Sequence, residues 1–182
     1  MEKLPWILIY LFLQWLYLPL NRRPVKYYWK IKLDDKLPLL PEMVTVYFSY
    51  FLMLFPGSVT LIFSGQFWPF MQAMIIAQII GDLFWWVFPN GVKRPVVIGG
   101  GLMREWLRRL YRFDQHDGNA APSAHVFHAL IIGYFLAQLW PSLAGLIYVW
   151  AGLIIISTVL IKQHYVLDVL GGILVAAVSL WV

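Results

Sequence analysis

The sequence predicts an all-α polytopic membrane protein, a bundle of six transmembrane helices with an amphipathic helix lying at the membrane interface. Three observations lead there. Of 182 residues, 61% are hydrophobic and 13% are charged, against about 45–50% and about 25% in a soluble domain. The mean hydropathy is +0.70. The apolar residues gather into six stretches, each covering all or most of a roughly 30 Å hydrocarbon core at about 1.5 Å per residue. Only a helix spans at that length with its backbone groups bonded internally. A single domain, residues 1–182, holds them all. The absence of cysteine excludes disulfide scaffolds, thiol nucleophiles and Cys-ligated metal sites together.

The first stretch, residues 4–20, is too long for a signal peptide. Asn21, Arg22 and Arg23 follow it where small cleavage-site residues would stand, so it reads as a retained helix. Residues 43–63 and 67–88 form the second and third stretches, and Trp85 and Trp86 near the end of the third read as interfacial belt residues. Residues 124–139, 142–161 and 165–182 complete the set. Between the third and fourth, Met103, Trp106, Leu107, Leu110 and Tyr111 recur at helical spacing, while Arg104, Arg108 and Arg112 stand four apart. That pattern fits an amphipathic helix with its arginines near lipid phosphates; a helix packed on neighbouring loops shares it. Six spans place thirteen of the fourteen Lys and Arg on one face of the membrane, with only Lys3 on the other. By the positive-inside rule that face is cytoplasmic. The net charge of +5 sits between apolar runs, which points to an anionic lipid surface or a phosphorylated substrate and away from nucleic acid.

Titratable side chains are costly in a membrane unless they are paired or line a cavity, so their positions carry information. Three groups lie on the basic face: Lys93-Arg94-Pro95, the run from Asn119 through Pro122-Ser123-Ala124 to His125, and Lys162-Gln163-His164 through Asp168. His164 and Asp168 are four apart and share a face on a helix. A carboxylate bonded to one ring nitrogen fixes the tautomer and leaves the other as a nucleophile or base. Lys162 can hold a phosphate oxygen, and Arg94 offers a planar fork for two. A helix starting at Pro122 or Ser123 turns its backbone N–H groups toward an anion and sets His125, a candidate general acid, in its first turn. Asn119 either bonds the phosphate loop or shapes the turn. Asp82 either lines the cavity or reaches interfacial water, and His128 reads as a hydrogen-bonded packing residue. Asp114, His116 and Asp117, next to Gly118, read as turn residues and not as metal ligands.

In these motifs the chain resembles the type 2 phosphatidic acid phosphatase family of membrane lipid phosphatases and phosphotransferases. The family pattern is a Lys followed six residues later by Arg-Pro, then Pro-Ser-Gly-His, then Ser-Arg, five residues, His, three residues and Asp. Here stand Arg94-Pro95, Pro122-Ser123-Ala124-His125, and Ser157-Thr158 with His164 and Asp168 at the family spacing. Val87 occupies the place of the first lysine, Ala124 that of the glycine and Thr158 that of the arginine. These departures, with the Lys-Gln-His-Tyr run, look like the inositol phosphorylceramide synthase branch. The resemblance implies that His164 attacks phosphorus, Asp168 orients it and His125 protonates the departing oxygen. It also implies that Arg94, Ser123 and Lys162 hold the phosphate oxygens, with Lys93 or Lys162 compensating for the missing cations, and that neither metal nor cofactor is needed.

The expected activity is therefore a lipid phosphate or pyrophosphate phosphatase working through a phosphohistidine, on a phospholipid, isoprenoid or sphingolipid phosphate drawn from the bilayer. The alternative is a phosphotransferase moving a phospho-alcohol headgroup to a lipid, and a third reading is a non-catalytic scaffold or transporter. The expected setting is a multi-pass protein of the cell membrane, a homo-oligomer being compatible with it. The resemblance implies a site on the outer or lumenal side, opposite to the charge bias.

Overall fold

Each of the six apolar stretches is helical in the computed structural model, which describes residues 2–114, 116 and 118–182. Helix α1 is Leu4–Asn21 and a short α2 is Lys32–Lys36. A 3₁₀ turn, Pro41–Met43, runs into α3 (Val44–Leu52), a π turn (Met53–Gly57) and α4 (Ser58–Ile62) as one continuous helical run. Then come α5 (Phe67–Val87), α6 (Leu102–Phe113), α7 (Ala124–Leu139), α8 (Ala144–Leu160) and α9 (Val166–Trp181). Among the described residues no strand forms, and an isolated bridge pairs Tyr27 with Asn90.

Four helical runs are long and apolar enough to cross a membrane: Leu4–Asn21, Pro41–Ile62, Phe67–Val87 and Pro141–Leu160. The other two apolar helices, α7 and α9, have 16 residues each, about 24 Å at 1.5 Å per residue. The sequence expectation of six full spans is thus met in full by four.

Helix α7 is the centre of the bundle. Its apolar residues occur on every side, and a helix of that kind is buried all round: Val126, Phe127, Ala129, Ile131 and Ile132 are each fully enclosed. Around it pack α5, α8, α9 and the π turn, while α1 leans on α5 and α3 on α8. The π turn has a local cause. Pro56 has no N–H for the helical ladder, and the ladder there widens by one residue. Gly57 then lies so close to α7 that a Cβ on it would stand 3.0 Å from a methyl of Ile132.

Helix α6 forms where the periodicity places it, and its apolar face is turned inward. Leu107 and Leu110 are buried with Val44, Tyr47, Val97 and Ile161, so packing on α3 and the 3₁₀ turn takes up much of the stripe assigned above to lipid. On its other face Glu105 accepts from Arg108, Arg109 and Arg112 at 3.1 Å each. Hydrogen bonds from Arg109 and Arg108 hold its carboxyl below the usual range. Trp85 departs from expectation as well. It is fully buried, edge-on to Tyr17 and stacked near Phe127, while Trp86 next to it is exposed. One residue along a helix turns a side chain by about 100°, enough to separate core from surface.

The join of α7 and α9 leaves no room for a side chain at Gly172. A Cβ on Gly172 would lie 2.7 Å from Cβ of Val126 and 2.8 Å from the carbonyl oxygen of Ser123. Backbone and a β-branched stem cannot yield as a flexible side chain would. Gly172→Ala is expected to destabilise the fold by about 1–3 kcal/mol, the usual cost of overpacking. Thermal unfolding in detergent checks this, with Gly152→Ala, where a Cβ meets nothing within 4 Å, as the neutral control.

Candidate active site

Two helix starts and one turn build the site. At the end of α8 the chain reverses through Lys162, whose φ of 55° is left-handed. The amides of Gln163 and His164 both donate to the carbonyl of Thr158, at 2.9 and 3.2 Å. Helix α9 follows, and the Asp168 carboxylate reaches back to accept the Tyr165 amide at 2.7 Å. His164 therefore sits on the turn before α9 and not on the helix, but its Nδ1 still faces Asp168 Oδ2 at 3.7 Å. The spacing of four is satisfied across the helix N-terminus. Both side chains are buried.

The start of α7 is held by Asn90. Its Nδ2 donates to the Ala121 carbonyl at 2.8 Å, and its Oδ1 accepts the Ala121 amide at 2.6 Å. The Ser123 amide then donates to the Asp168 carbonyl at 3.0 Å. With the two helix starts tied in this way, His125 Nδ1 lies 3.2 Å from His164 Nε2. The two imidazoles that the motifs set 39 residues apart are in contact.

The second nitrogen of His125 is also engaged. Tyr47 of α3, 3% exposed, sets its hydroxyl 2.7 Å from His125 Nε2. The Tyr50 ring packs on His125 with centroids 4.5 Å apart, and its hydroxyl bonds His128 Nδ1 at 2.8 Å. Neither tyrosine was found by sequence reasoning, because aromatic residues in an apolar run read as core. The one available signal is two phenols three apart, on the same side of a helix.

The expected phosphate-binding residues divide. Ser123 Oγ is fully buried at the start of α7 and has no hydrogen-bond partner among the described residues. Lys162 Nζ donates to the carbonyls of Asp34 and Leu37, at 2.9 and 2.7 Å, and burial lowers its pKa against the pull of Asp34. Arg94 is paired with Asp114: one nitrogen donates to the carboxylate at 2.6 Å and another to the Asp114 carbonyl. Lys93 is exposed, its ammonium 4.9 Å above the Tyr28 ring. Asn119 is turned to another task. It has a left-handed φ of 52°, and its amide donates to the Tyr17 carbonyl at 2.9 Å, the turn-shaping alternative. Asp114 ends α6, whereas Asp117 lies outside the described residues.

Two cavities meet the histidine pair from different sides. A polar cleft of about 240 Å3 is lined by Lys30, Asp34, Lys93, Lys162, His164 and Tyr165. A larger cavity of about 450 Å3 reaches His125 and His128 between α1 and α3, past Gln14, Tyr47 and Tyr50, with the exposed Leu18 and Phe51 on its walls. Behind the larger cavity runs a buried polar chain. Gln14 Nε2 lies 3.0 Å from His128 Nε2 and from Gln78 Oε1, and Gln78 donates to Asp82 at 2.9 Å. Asp82 is thereby placed in the core, and His128 is the hydrogen-bonded packing residue its position implied.

Four helical runs of membrane-spanning length suggest a membrane protein, and at the helix ends the fold brings two imidazoles and a carboxylate together. The family model described as the PAP2 superfamily matches residues 36–182, and the chain belongs to that superfamily. Membership suggests a phosphatase or a phosphotransferase. No curated protein and no solved structure matches the chain.

Asn90 supports the entry to α7 without touching either histidine. Asn90→Ala leaves the Ala121 amide and carbonyl without their partners at a buried position, a cost of about 1–3 kcal/mol for each group left unsatisfied. A lower unfolding midpoint together with lost activity is expected, measured side by side on one detergent preparation.

Proposed function

We propose that the protein transfers the phosphoryl group of a lipid phosphate or pyrophosphate through a phosphohistidine on His164. The observation that carries this reading is the 3.2 Å contact between His125 and His164, with Asp168 on the far side of His164. An Asp168 carboxylate facing Nδ1 favours the tautomer with the proton on Nδ1 and the lone pair on Nε2. That lone pair attacks phosphorus, and the substrate takes the place of the direct ring contact. The P–O bond breaks as the N–P bond forms, and His125 gives the leaving oxygen its proton. In the second half His125 takes a proton from water or from an acceptor alcohol, whose oxygen attacks the phosphohistidine. Ser123, the start of α7 and Arg94 steady the equatorial oxygens. Lys162 uses two of its three donors on carbonyls and keeps one for the anion.

An amphiphilic substrate suits the larger cavity, whose walls include side chains exposed on α1 and α3 and whose inner end is His125. Six spans, with α7 and α9 crossing a locally thinned bilayer, complete the bundle in this reading. On α6 the exposed Leu102, Trp106 and Phe113 beside Arg109 and Arg112 suit a helix at the interface, although its inner face is packed on protein.

A second reading is the phosphotransferase of the inositol phosphorylceramide synthase type, where an alcohol replaces water. It is favoured by the Lys162-Gln163-His164-Tyr165 run and by the hydroxyl and amide groups of Tyr47, Tyr50 and Gln14 around His125.

The test is turnover of purified protein on a panel of lipid phosphates, with and without added alcohols. Release of inorganic phosphate without acceptor supports the phosphatase; product formed only with an alcohol supports the transferase. His164→Ala is expected to lower either activity by about 10³-fold or more. An acid-labile, alkali-stable phosphoprotein should be trapped in the parent and not in the variant. Unchanged turnover in His164→Ala would overturn the phosphohistidine, and no turnover by the unaltered protein, with or without alcohols, would leave a scaffold or transporter as the surviving account.

A further inference from the structure

We propose that Tyr47 is a positioning residue for the leaving-group acid, holding Nε2 of His125 so that Nδ1 alone is presented to the substrate. The inference rests on the roles assigned above to His164 and His125, and it concerns a residue that none of the motifs contains.

The hydrogen-bond directions follow from one end of the chain. Asp168 Oδ2 faces His164 Nδ1 at 3.7 Å, beyond hydrogen-bond reach, and its negative charge favours a proton on that nitrogen. His164 Nε2 is then an acceptor, and the hydrogen between the rings belongs to His125 Nδ1. In neutral His125 this leaves Nε2 as an acceptor, and the partner 2.7 Å away is the phenol of Tyr47. Tyr47 donates. Asp168, His164, His125 and Tyr47 thus have one consistent arrangement of protons when both imidazoles are neutral.

The chemical step asks more of the same phenol. A general acid that leaves as a neutral base must arrive as the imidazolium, with protons on both nitrogens. When Nε2 carries a proton, Tyr47 Oη can accept it, because a phenol is both donor and acceptor. As P–O breaks, the electron pair of that bond goes to the leaving oxygen, which takes the proton from His125 Nδ1. His125 remains neutral with its proton on Nε2, facing Tyr47. His164 becomes the phosphoimidazolium, its Nδ1 proton facing Asp168. Charge and protons balance at every stage, and no other hydroxyl touches His125 Nε2 among the described residues.

The phenol is held for this task. Tyr47 is buried with Val44, Leu107, Leu110 and Ile161, and its ring centroid is 4.8 Å from that of His125. The Tyr50 ring also packs against the imidazole, with centroids 4.5 Å apart. A phenylalanine at position 47 preserves the ring packing and removes only the hydroxyl.

The test compares two phosphate esters in the same detergent micelles: dodecyl phosphate, whose alkoxide must be protonated to leave, and 4-nitrophenyl phosphate, whose phenolate leaves without a proton. Tyr47→Phe is expected to lower kcat/KM for dodecyl phosphate, which reports the first half-reaction alone, by about 10- to 100-fold, part of the 10²–10⁴-fold that general acid catalysis supplies. For 4-nitrophenyl phosphate kcat/KM should stay within about 3-fold, since it covers only the steps up to phosphohistidine formation and the phenolate needs no proton there. The ratio of the two rates in one preparation does not depend on how much of the variant is folded. His125→Ala should show the same discrimination more strongly, and Tyr47→Phe added to His125→Ala should change nothing further. Equal losses on both esters, or none on either, overturn the role of Tyr47 while the His164 reading stands. Failure of the unaltered protein to turn over either ester, with or without an added polyol acceptor, overturns the His164 reading and the proposal with it.

Discussion

The site depends on the joining of two helix starts. The Ser123 amide donates to the Asp168 carbonyl, and Gly172 lets α9 come close enough to α7 for that bond to form. Neither histidine takes part, but both are placed by it: one lies two residues into the tied segment of α7 and the other just before α9. Two helix N-termini side by side concentrate positive potential in one small region. At α9 that potential is met by protein carboxylates, since Asp168 accepts the Tyr165 amide and Asp34 accepts the Val166 amide at 2.8 Å. The start of α7 has no such carboxylate among its described contacts. In the proposed reaction an anion at the histidine pair would be drawn to α7 in preference to α9, and Ser123 stands there.

The loop between α1 and α3 acts as the other wall. Asp34 bonds its own segment at Ile31 and the start of α9 at Val166, while the Asp34 and Leu37 carbonyls hold Lys162. The Leu40 amide donates to the Leu160 carbonyl. The turn carrying His164 is consequently clasped from both sides, by the end of α8 and by this loop. A left-handed residue at position 162 is tolerable in a turn fixed at so many points, where the cost of order 1 kcal/mol or more for a non-glycine in that region is met by the surrounding bonds.

The sequence made legible what is local. Helix positions follow from the apolar runs, and His164 and Asp168 could be paired because four residues bring two side chains together on a helix or across its first turn. The order of motifs also indicated that His125 and His164 belong to one site. What stayed hidden is non-local or ambiguous in chemistry. Tyr47 and Tyr50 are 78 residues from the histidines they bond, inside a stretch whose aromatic content is explained equally well by packing. Gln14 and Gln78 join α1 to α5 and α7 through amides that, read along the chain, are isolated polar residues in apolar helices. Burial separated Trp85 from Trp86, and the inward turn of α6 came from a cluster that includes residues of α3 and α8's end. Along the chain Asn119 fits two roles, and its bond to the Tyr17 carbonyl selects the turn-shaping one.

Charge balance around the histidines narrows which cation serves an anion best. Arg94 already faces the Asp114 carboxylate, and Lys30 faces Asp35. A phosphate approaching either must compete with a full negative charge. Lys162 is bound by carbonyl oxygens, which satisfy its donors without cancelling its charge, and it lines the same cleft as His164. Its lowered pKa has the same origin, a half-buried ammonium that solvent stabilises poorly. Bringing a dianion beside such a group relieves that penalty, so the attraction is stronger than for an exposed lysine such as Lys93. In the proposed reaction Lys162, two residues from His164, would supply by position what the sequence lacks in number where the family pattern has cations and this chain has Val87 and Thr158.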